Sequence, residues 1–343
     1  MEQCSGKRRR GFGNSLRRER VFMPVKCLLS INRLAYRLVE ELMEDPEYYG
    51  VTIEKLPSGA TVIDTGLQAP GGYEAGLMTT RIAMGGAGKA ELGYADFGGL
   101  KLPTVVVSTD HPAVALFGAQ LAGWRIKPEG YTADGSGPAR ALALKPKKVF
   151  QKIEYKDEAD VAVLLLETDK KPPDSAAHFV ANACGVEPSD VYLLLTTTTS
   201  MAGMVQISGR IVETGLFRLD ILGLDLKKVK YGVGYAPIMP VHTDHGKAMG
   251  RAEDALTYGG VTSYVVDEAE DVLREMAEKA PSSNCKDYGK TSYEIYKAVD
   301  FDFTQIDPAL FAPASVSLTC ARTGATFTRG EINVEIVKSS VKS

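Results

Sequence analysis

The sequence predicts an α/β fold in which mixed layers of helices and strands form two similar domains. Apolar, β-branched segments typical of buried strands, such as residues 102–108 and 160–166, alternate along the chain with segments of helical periodicity. At 343 residues and 44% hydrophobic content, the chain can bury two cores. We therefore expect a first α/β domain over residues 28–150, a second over residues 151–343, and an active-site cleft between them.

Two short matches between the halves support this division. Arg-Ile occurs at residues 81–82 and 210–211, and Thr-Asp-His occurs at residues 109–111 and 243–245, in the same order. Each Thr-Asp-His triplet follows a predicted strand and precedes a helix of small residues. Such self-similarity indicates a duplicated unit, although motifs this short also arise by chance.

The two copies differ three residues after the shared arginine. The second half has Glu213 at that position, whereas the first half has Met84. Because a thioether cannot exchange a proton, only the second copy keeps a group capable of acid–base chemistry. We expect catalysis on the side of the second half and mainly binding surface from the first.

The chain begins with a basic segment, residues 1–27, which we expect to be a disordered extension outside the working domain. Folding is predicted to begin at Ser30, a suitable N-cap, because Leu34, Leu38 and Leu42 follow at helical spacing. Binding of RNA or DNA is the alternative role of the basic segment.

Further elements follow from turn residues and strand patterns. The sequence predicts a hairpin over residues 51–66, and a buried strand over residues 102–108 that leads into a helix of small residues from residue 113. The Thr-Asp pair before that helix is expected to supply its cap. A closing hairpin is predicted over residues 315–337, and it can return to the first domain.

Composition argues against several classes of protein. The net charge is −3 with both signs mixed throughout, which argues against a nucleic-acid-binding protein. No run of eighteen or more apolar residues occurs and no apolar secretory signal begins the chain, so we expect no membrane segment and a cytoplasmic location. The five cysteines show neither CxxC nor Cys/His spacing, which indicates no disulfide framework and no zinc site.

The stretch most suggestive of chemistry covers residues 193–215. An apolar strand leads into a hydroxyl-rich turn at residues 196–200, and Arg210 and Glu213 follow, three residues apart. If this region is helical, the guanidinium and the carboxylate share one face and can touch. Such a pair can bind an anion and activate water. The simpler interpretation is an ordinary ion pair on a surface helix.

Other catalytic arrangements find less support. His242, Asp244 and His245 have a spacing that any polar turn can produce, so we predict no metal site. Ser200 and Ser208 have no base nearby in the sequence, and no nucleophile-elbow motif is present. Acid–base chemistry by the arginine–glutamate pair is therefore the most coherent interpretation.

A second candidate site lies at a predicted helix start, Pro138. The flexible backbone of the segment GSGPARAL exposes amide groups there, and two cationic side chains follow. We expect Ser136, Gly137, Arg140 and Lys145 to form a subsite for phosphate or carboxylate groups.

Several longer motifs occur in order along the chain: PGGYEAGL, STDHPAVAL, GSGPARALALKPK, SGRIVETG, YGVGYAPIMPV and GEINVE. Together they resemble the methenyltetrahydromethanopterin cyclohydrolases of archaea and some methylotrophic bacteria, from about residue 28 to the C-terminus. The resemblance implies a hydrolase of two α/β domains that uses no cofactor, binds a pterin between the domains and assembles into homotrimers. The implied reaction is reversible hydration of the N5,N10-methenyl cation to the N5-formyl compound in one-carbon metabolism. In that family the Arg and Glu of RIVE, here Arg210 and Glu213, are the catalytic pair.

The resemblance also suggests how the pterin is bound. The anion subsite would hold the phosphate and carboxylate groups of the pterin side chain. Thr198, Ser200 and Gln206 are candidates to hydrogen-bond the pterin head, with satisfaction of the local backbone as the alternative. His111 is a candidate to face the cleft, with a role in the helix cap as its alternative.

Three other functions stay open on the sequence alone. The chain could be a cyclohydrolase or amidohydrolase that acts on another cyclic amidine. It could be a non-enzymatic phosphate- or nucleotide-binding module built on GSGPARAL, in which case ligand binding would not depend on Glu213. RNA binding through the basic extension is the third.

Overall fold

The computed structural model describes residues 29–128 and 130–342, so the predicted extension over residues 1–27 lies outside the described residues. Within this part of the chain, the strands form two mixed six-stranded sheets, here called sheet A and sheet B, with helices packed against them. The predicted α/β fold with two layered units is confirmed.

Twelve α-helices lie in the described residues. They are α1 (Ile31–Glu44), α2 (Pro46–Tyr49), α3 (Tyr73–Ala83), α4 (Ala139–Ala143), α5 (Lys147–Ile153), α6 (Asp174–Cys184), α7 (Met201–Ser208), α8 (Ile211–Ile221), α9 (His245–Thr257), α10 (Glu270–Lys279), α11 (Ser292–Ala298) and α12 (Val334–Lys342). A π-helix covers Ala113–Gln120. None of the helices described is both long and apolar enough to cross a membrane.

Sheet A is buried on both faces. Its strands are β1 (Thr52–Lys55), β2 (Thr61–Asp64), β5 (Trp124–Ile126), β6 (Ala133–Ser136), β7 (Ala162–Glu167) and β8 (Val191–Thr196). The order is β1–β2–β8–β7–β6–β5, with β2, β8 and β7 parallel and the outer strands antiparallel. Helix α6 packs on one face, and α1, α3 and α7 pack on the other. Burial on both faces explains why its central strands are almost wholly apolar.

Sheet B is covered by helices on one face, and part of its other face is exposed at Val106, Tyr231 and Val233. Its strands are β3 (Lys89–Phe97), β4 (Leu100–Thr109), β9 (Val229–Pro237), β10 (Val261–Val266), β11 (Ser315–Cys320) and β12 (Thr326–Gly330). The order is β12–β11–β10–β9–β4–β3, and only β10 and β11 are parallel. The apolar side chains of α8, α9 and α10 join one core with those of β4, β9 and β10. Helices α3 and α7 pack against each other and contact strands of both sheets.

The strands do not divide at residue 150 as the sequence predicted. Sheet A joins β1, β2, β5 and β6 to β7 and β8, and sheet B joins β3 and β4 to β9 through β12. Each sheet therefore draws on both sides of that boundary. The cause is long-range pairing of β2 with β8 and of β4 with β9, which strand periodicity does not specify.

Several local predictions are confirmed. The Ser30 hydroxyl caps α1 by accepting from the backbone N–H of Arg33 at 3.3 Å. Strands β1 and β2 form the predicted hairpin. Strands β11 and β12 form the closing hairpin as far as Gly330, but the rest of the predicted segment turns into α12. That helix packs against α9 and β3, so the end of the chain does contact a strand from the first half.

The segment after β4 differs from its prediction. It forms a π-helix that ends at Gln120, and its N-terminus has no side-chain cap. Thr109 instead accepts from the backbone N–H of His111 at 3.0 Å and donates to the carbonyl of Ala87 at 2.7 Å. π-Helical turns occur often at functional sites, and this one ends beside the cavity described below.

Candidate active site

A cavity of about 360 Å³ lies between the C-terminal ends of β7 and β8 in sheet A and the helices that cover sheet B. This position, outside the carboxyl ends of parallel strands, is where α/β proteins commonly bind ligands. Its apolar and aromatic walls include Leu121, Ile207, Phe217, Met249, Leu256, Tyr296, Phe303 and Phe311, and its charged groups are Glu167, Arg210, Glu213 and Glu253. A flat, largely apolar ligand with cationic or hydrogen-bond-donating edges suits such a surface.

Arg210 and Glu213 form a buried ion pair in the cavity wall. The Nη1 of Arg210 lies 3.2 Å from Oε2 of Glu213, and the two side chains are only 12% and 8% exposed. The same Nη1 donates to the carbonyl of Gln120 at 2.6 Å. The interpretation as a surface ion pair is therefore wrong. The guanidinium is held from two directions, which fixes its orientation towards the carboxylate.

Local sequence explains why the pair sits where it does. Arg210 occupies the junction between α7 and α8, and Glu213 lies in the first turn of α8, where the helix dipole favours a negative charge. The glycines on either side allow close packing. A Cβ on Gly209 would lie 2.5 Å from a Thr80 methyl on α3, and a Cβ on Gly215 would lie 2.2 Å from the Tyr264 hydroxyl.

Burial raises the pKa of Glu213 above its ordinary value. The charge of Arg210, its hydrogen bond and the charge of Arg140 act in the opposite direction, and burial outweighs them. A carboxylate with a raised pKa is a stronger base once it is ionised.

Two further carboxyl groups in the cavity were not singled out from the sequence. Glu253 on α9 accepts from the Thr257 hydroxyl at 3.2 Å. Burial raises its pKa to about 7, and the charges of Asp254 and Glu213 add to the effect. Glu167 ends β7. The signal that could have revealed Glu167 is its place directly after a buried strand that runs towards the cavity, whereas Glu253 sits in an ordinary charged helix pattern.

The predicted hydroxyl-rich turn contributes one residue to the cavity. Thr198 lines it and donates to Oε1 of Glu167 at 2.6 Å. Ser200 caps α7, since its hydroxyl accepts from the N–H of Gly203 at 3.0 Å. Gln206 is buried and does not line this cavity. The backbone role that the sequence left as an alternative therefore describes Ser200.

The predicted anion subsite is not an exposed cluster. Arg140 is completely buried, and its guanidinium donates to backbone carbonyls. Ser136 is buried as well, and Gly137 packs close to the backbone of β7. Lys145 alone is exposed. Arg140 is thus unavailable to an anion at the surface, because the helix that carries it is covered on both sides by apolar core.

His111 lies away from the Arg210–Glu213 pair. It lines a second cavity, with the glycine-rich loop at residues 86–88 and with Lys89. Its backbone N–H takes part in the turn made by Thr109. In the described part of the chain, no group of three or more His, Cys, Asp or Glu side chains is arranged to hold a metal ion.

Comparison with known proteins gives a consistent match over nearly the whole chain. The family model described as "Cyclohydrolase (MCH)" matches residues 30–341. A protein of Methanocaldococcus jannaschii named methenyltetrahydromethanopterin cyclohydrolase is 44% identical over 318 residues, which cover 92% of this chain and 98% of that protein. Proteins of the same name from Methanococcus maripaludis strain C5 and Methanothermobacter marburgensis are 43% and 42% identical, over 92% and 91% of this chain and 99% of each relative.

Proposed function

This chain belongs to the cyclohydrolase (MCH) family, and from that premise we propose that it catalyses the reaction after which its relatives are named. The reaction is the reversible hydrolysis of the N5,N10-methenyl cation of tetrahydromethanopterin to the N5-formyl compound, a step of one-carbon metabolism. The observation that supports it most is the Arg210–Glu213 pair, buried in the wall of an apolar cavity. We propose that Glu213 is the catalytic base and Arg210 its partner.

The substrate needs little activation. Its reactive carbon belongs to an amidinium cation and is already electrophilic, so attack by water requires mainly that a proton be removed from the water. Glu213 accepts that proton as the C–O bond forms, and the proton passes to N10 as the C–N10 bond breaks. The second proton of the water is released, so that the cation yields a neutral formyl compound and H⁺. This chemistry calls for neither a metal nor a cofactor, and we propose that the enzyme uses none.

The environment of Glu213 suits this role. Because burial raises its pKa, the ionised carboxylate takes a proton more readily than an exposed glutamate would. Arg210 fixes the carboxylate at 3.2 Å and keeps a positive charge beside it. A cationic substrate also favours the ionised form, since opposite charges attract strongly in an apolar cavity.

The cavity walls are suited to a pterin. Phe217, Phe303, Phe311 and Tyr296 offer apolar faces to a flat ring. Thr198 and the carboxyl groups across the cavity can accept from ring N–H groups. Of the anion subsite, we retain exposed Lys145 as a candidate for the charged end of the pterin side chain. Loss of that charge should raise KM with little change in kcat.

We also propose that the protein assembles into a homo-oligomer, specifically a homotrimer. The face of sheet B opposite α8 exposes Val106, Tyr231 and Val233, with 37%, 55% and 45% of each residue accessible. Register places these side chains on one side of adjacent strands, and a contiguous apolar surface of this kind is typical of an interface. Light scattering should give the mass of a trimer, and Val233→Glu should lower it.

The function is tested by mixing the purified protein with methenyltetrahydromethanopterin and following loss of the methenyl absorbance. Rapid loss is expected, with much slower turnover of the corresponding folate derivative. Faster turnover of another cyclic amidine would favour the wider cyclohydrolase alternative. Tight phosphate binding with no turnover would favour a binding module. Removal of residues 1–27 should leave the rate unchanged.

A further inference from the structure

Arg140 is a buried cation tied to a particular piece of backbone. It lies in α4 with 0% of the residue exposed. Its Nε donates to the carbonyl of Lys145 at 2.9 Å, and its Nη1 donates to the carbonyls of Phe117 and Ala119, both at 3.0 Å. Its Nη2 is buried and finds no hydrogen-bond partner among the described residues.

Two of the three carbonyls that Arg140 binds belong to the end of the π-helix, and the next carbonyl in that segment binds Arg210. Gln120 accepts from Nη1 of Arg210 at 2.6 Å, and its side chain donates to the carbonyl of Gly209 at 3.1 Å. Ala119 and Gln120 are adjacent in sequence. One short stretch of backbone therefore connects the buried cation to the guanidinium of the catalytic pair.

Arg140 also acts on Glu213 through charge. Burial lowers the pKa of Arg140 to about 9, the negative charge of Glu213 opposes that shift, and the group remains a cation at neutral pH. In return, the charge of Arg140 lowers the pKa of Glu213, after the larger effects of burial and of Arg210. Glu253 and Tyr264 are the other titratable groups that interact with this carboxylate.

A purely structural tie between backbone segments does not require a cation. Burying a charge is costly unless it is fully hydrogen-bonded, and here one nitrogen lacks a partner. A neutral amide could bind two carbonyls at a lower desolvation cost. A structural role alone therefore does not explain why a charged side chain occupies position 140.

We propose that Arg140 is a positioning residue for the catalytic pair. It fixes the end of the π-helix that holds Arg210, and its charge stabilises the carboxylate of Glu213. The inference rests on the proposed function only because it takes Glu213 to be the base. The main measurement is therefore the pKa of Glu213, which can be determined without enzyme turnover.

The test is an infrared titration of Glu213, obtained as the difference between each protein and the same protein carrying Glu213→Gln. Arg140→Met removes the charge and should raise the pKa of Glu213 by about one unit, at the low end of the effect of a nearby opposite charge. Arg140→Lys keeps the charge and should leave that pKa close to the wild-type value. An unchanged pKa in Arg140→Met would overturn the electrostatic part of the proposal.

Arg218 provides a matched control. It is also a buried arginine, and its Nη2 donates to the carbonyl of Lys279 at 2.8 Å. Arg218→Met and Arg218→Lys should lower stability while leaving the Glu213 titration and kcat unchanged. An equal shift of the Glu213 pKa in Arg218→Met would mean that loss of any buried arginine produces it, which would also overturn the proposal.

A second measurement covers the case in which Arg140→Met does not fold. Arg140→Lys keeps the charge but loses the hydrogen bonds to two carbonyls of the π-helix. Because Arg210 is then less firmly positioned, kcat should fall about tenfold with little change in KM. A kcat equal to that of the wild type would contradict the positioning role. Absence of turnover in the wild type itself would refute the proposed function instead, while the titration would still decide this inference.

Discussion

Glu213 and Glu253 line the same cavity, yet their surroundings differ. Glu213 lies 3.2 Å from a guanidinium nitrogen of Arg210 and feels the charge of Arg140. Glu253 accepts from the Thr257 hydroxyl and has Asp254 as its charged neighbour in sequence. Burial raises the pKa of both carboxyl groups.

The difference shows that burial alone does not determine which of the two carboxyl groups acts as the base. Burial raises the pKa of both groups, and their charged neighbours distinguish them: Arg210 and Arg140 act on Glu213, whereas the charge of Asp254 acts on Glu253. Where environments separate two titratable groups in one site, the groups commonly take different roles. We infer that the arginine-supported carboxylate performs the proton transfer, and that Glu253, whose pKa burial raises to about 7, ionises less readily than an exposed glutamate.

Of the substitutions that test this difference between Glu213 and Glu253, removal of Arg210 should lower kcat the most. Arg210→Gln takes away the charge next to Glu213 and the bond to the Gln120 carbonyl, so we expect kcat to fall about 10²- to 10³-fold, as for other groups that stabilise charge in a site. Arg210→Lys should recover part of the rate. Arg81, the corresponding arginine of the first half, is the control, and Arg81→Gln should leave kcat near the wild-type value. Steady-state kinetics would check both.

Displacing the helix that carries Glu213 should have the next largest effect. In Gly215→Ala the new methyl would lie 2.2 Å from the Tyr264 hydroxyl, which is itself fixed by donation to the Val212 carbonyl at 2.6 Å. We expect a loss of about 1–3 kcal/mol in the free energy of unfolding, typical of overpacking. Urea denaturation measures it. In a Tyr264→Phe background the cost should shrink, and an equal cost there would contradict the clash.

The smallest effect concerns the pH dependence of stability. Because the folded-state pKa of Glu253 is raised to about 7, its contribution to stability is complete below the ordinary glutamate value and is lost as pH rises through about 7. Glu253→Gln should therefore flatten the fall of Tm between pH 4.5, the ordinary pKa of a glutamate, and about 7. Part of the dependence of Tm on pH should remain in this variant, because Asp254 also has a raised pKa, of about 6. An unchanged slope would mean that Glu253 is not the titrating group.

Features encoded in local sequence were predictable. The Ser30 cap, the first hairpin and the spacing of Arg210 and Glu213 follow from short-range rules. The family motifs indicated the same pair. The sequence also indicated that this pair would differ from its copy in the first half, and Met84 is indeed a fully buried core residue.

Features that depend on long-range packing were not predictable. Strand pairing crosses residue 150, where the sequence predicted a domain boundary. Arg140 was expected at a surface, but segment GSGPARAL packs beneath the π-helix, where its arginine meets carbonyls instead of a ligand. Glu253 belongs to an amphipathic helix whose charged residues give no sign of which one faces a cavity. Contacts between residues distant in sequence decide such cases. Strand β2 pairs with β8 across more than a hundred residues, and Arg140 binds carbonyls 23 and 21 residues away.

The most direct test of the account is Glu213→Gln, measured by pterin binding and by single-turnover hydrolysis on the same protein. The amide keeps the shape of the side chain but cannot accept a proton from water. We predict a Kd close to that of the wild type and a hydrolysis rate lower by about 10²- to 10⁴-fold, the usual contribution of a general base. Hydrolysis at the wild-type rate would contradict the assignment of Glu213 as the base.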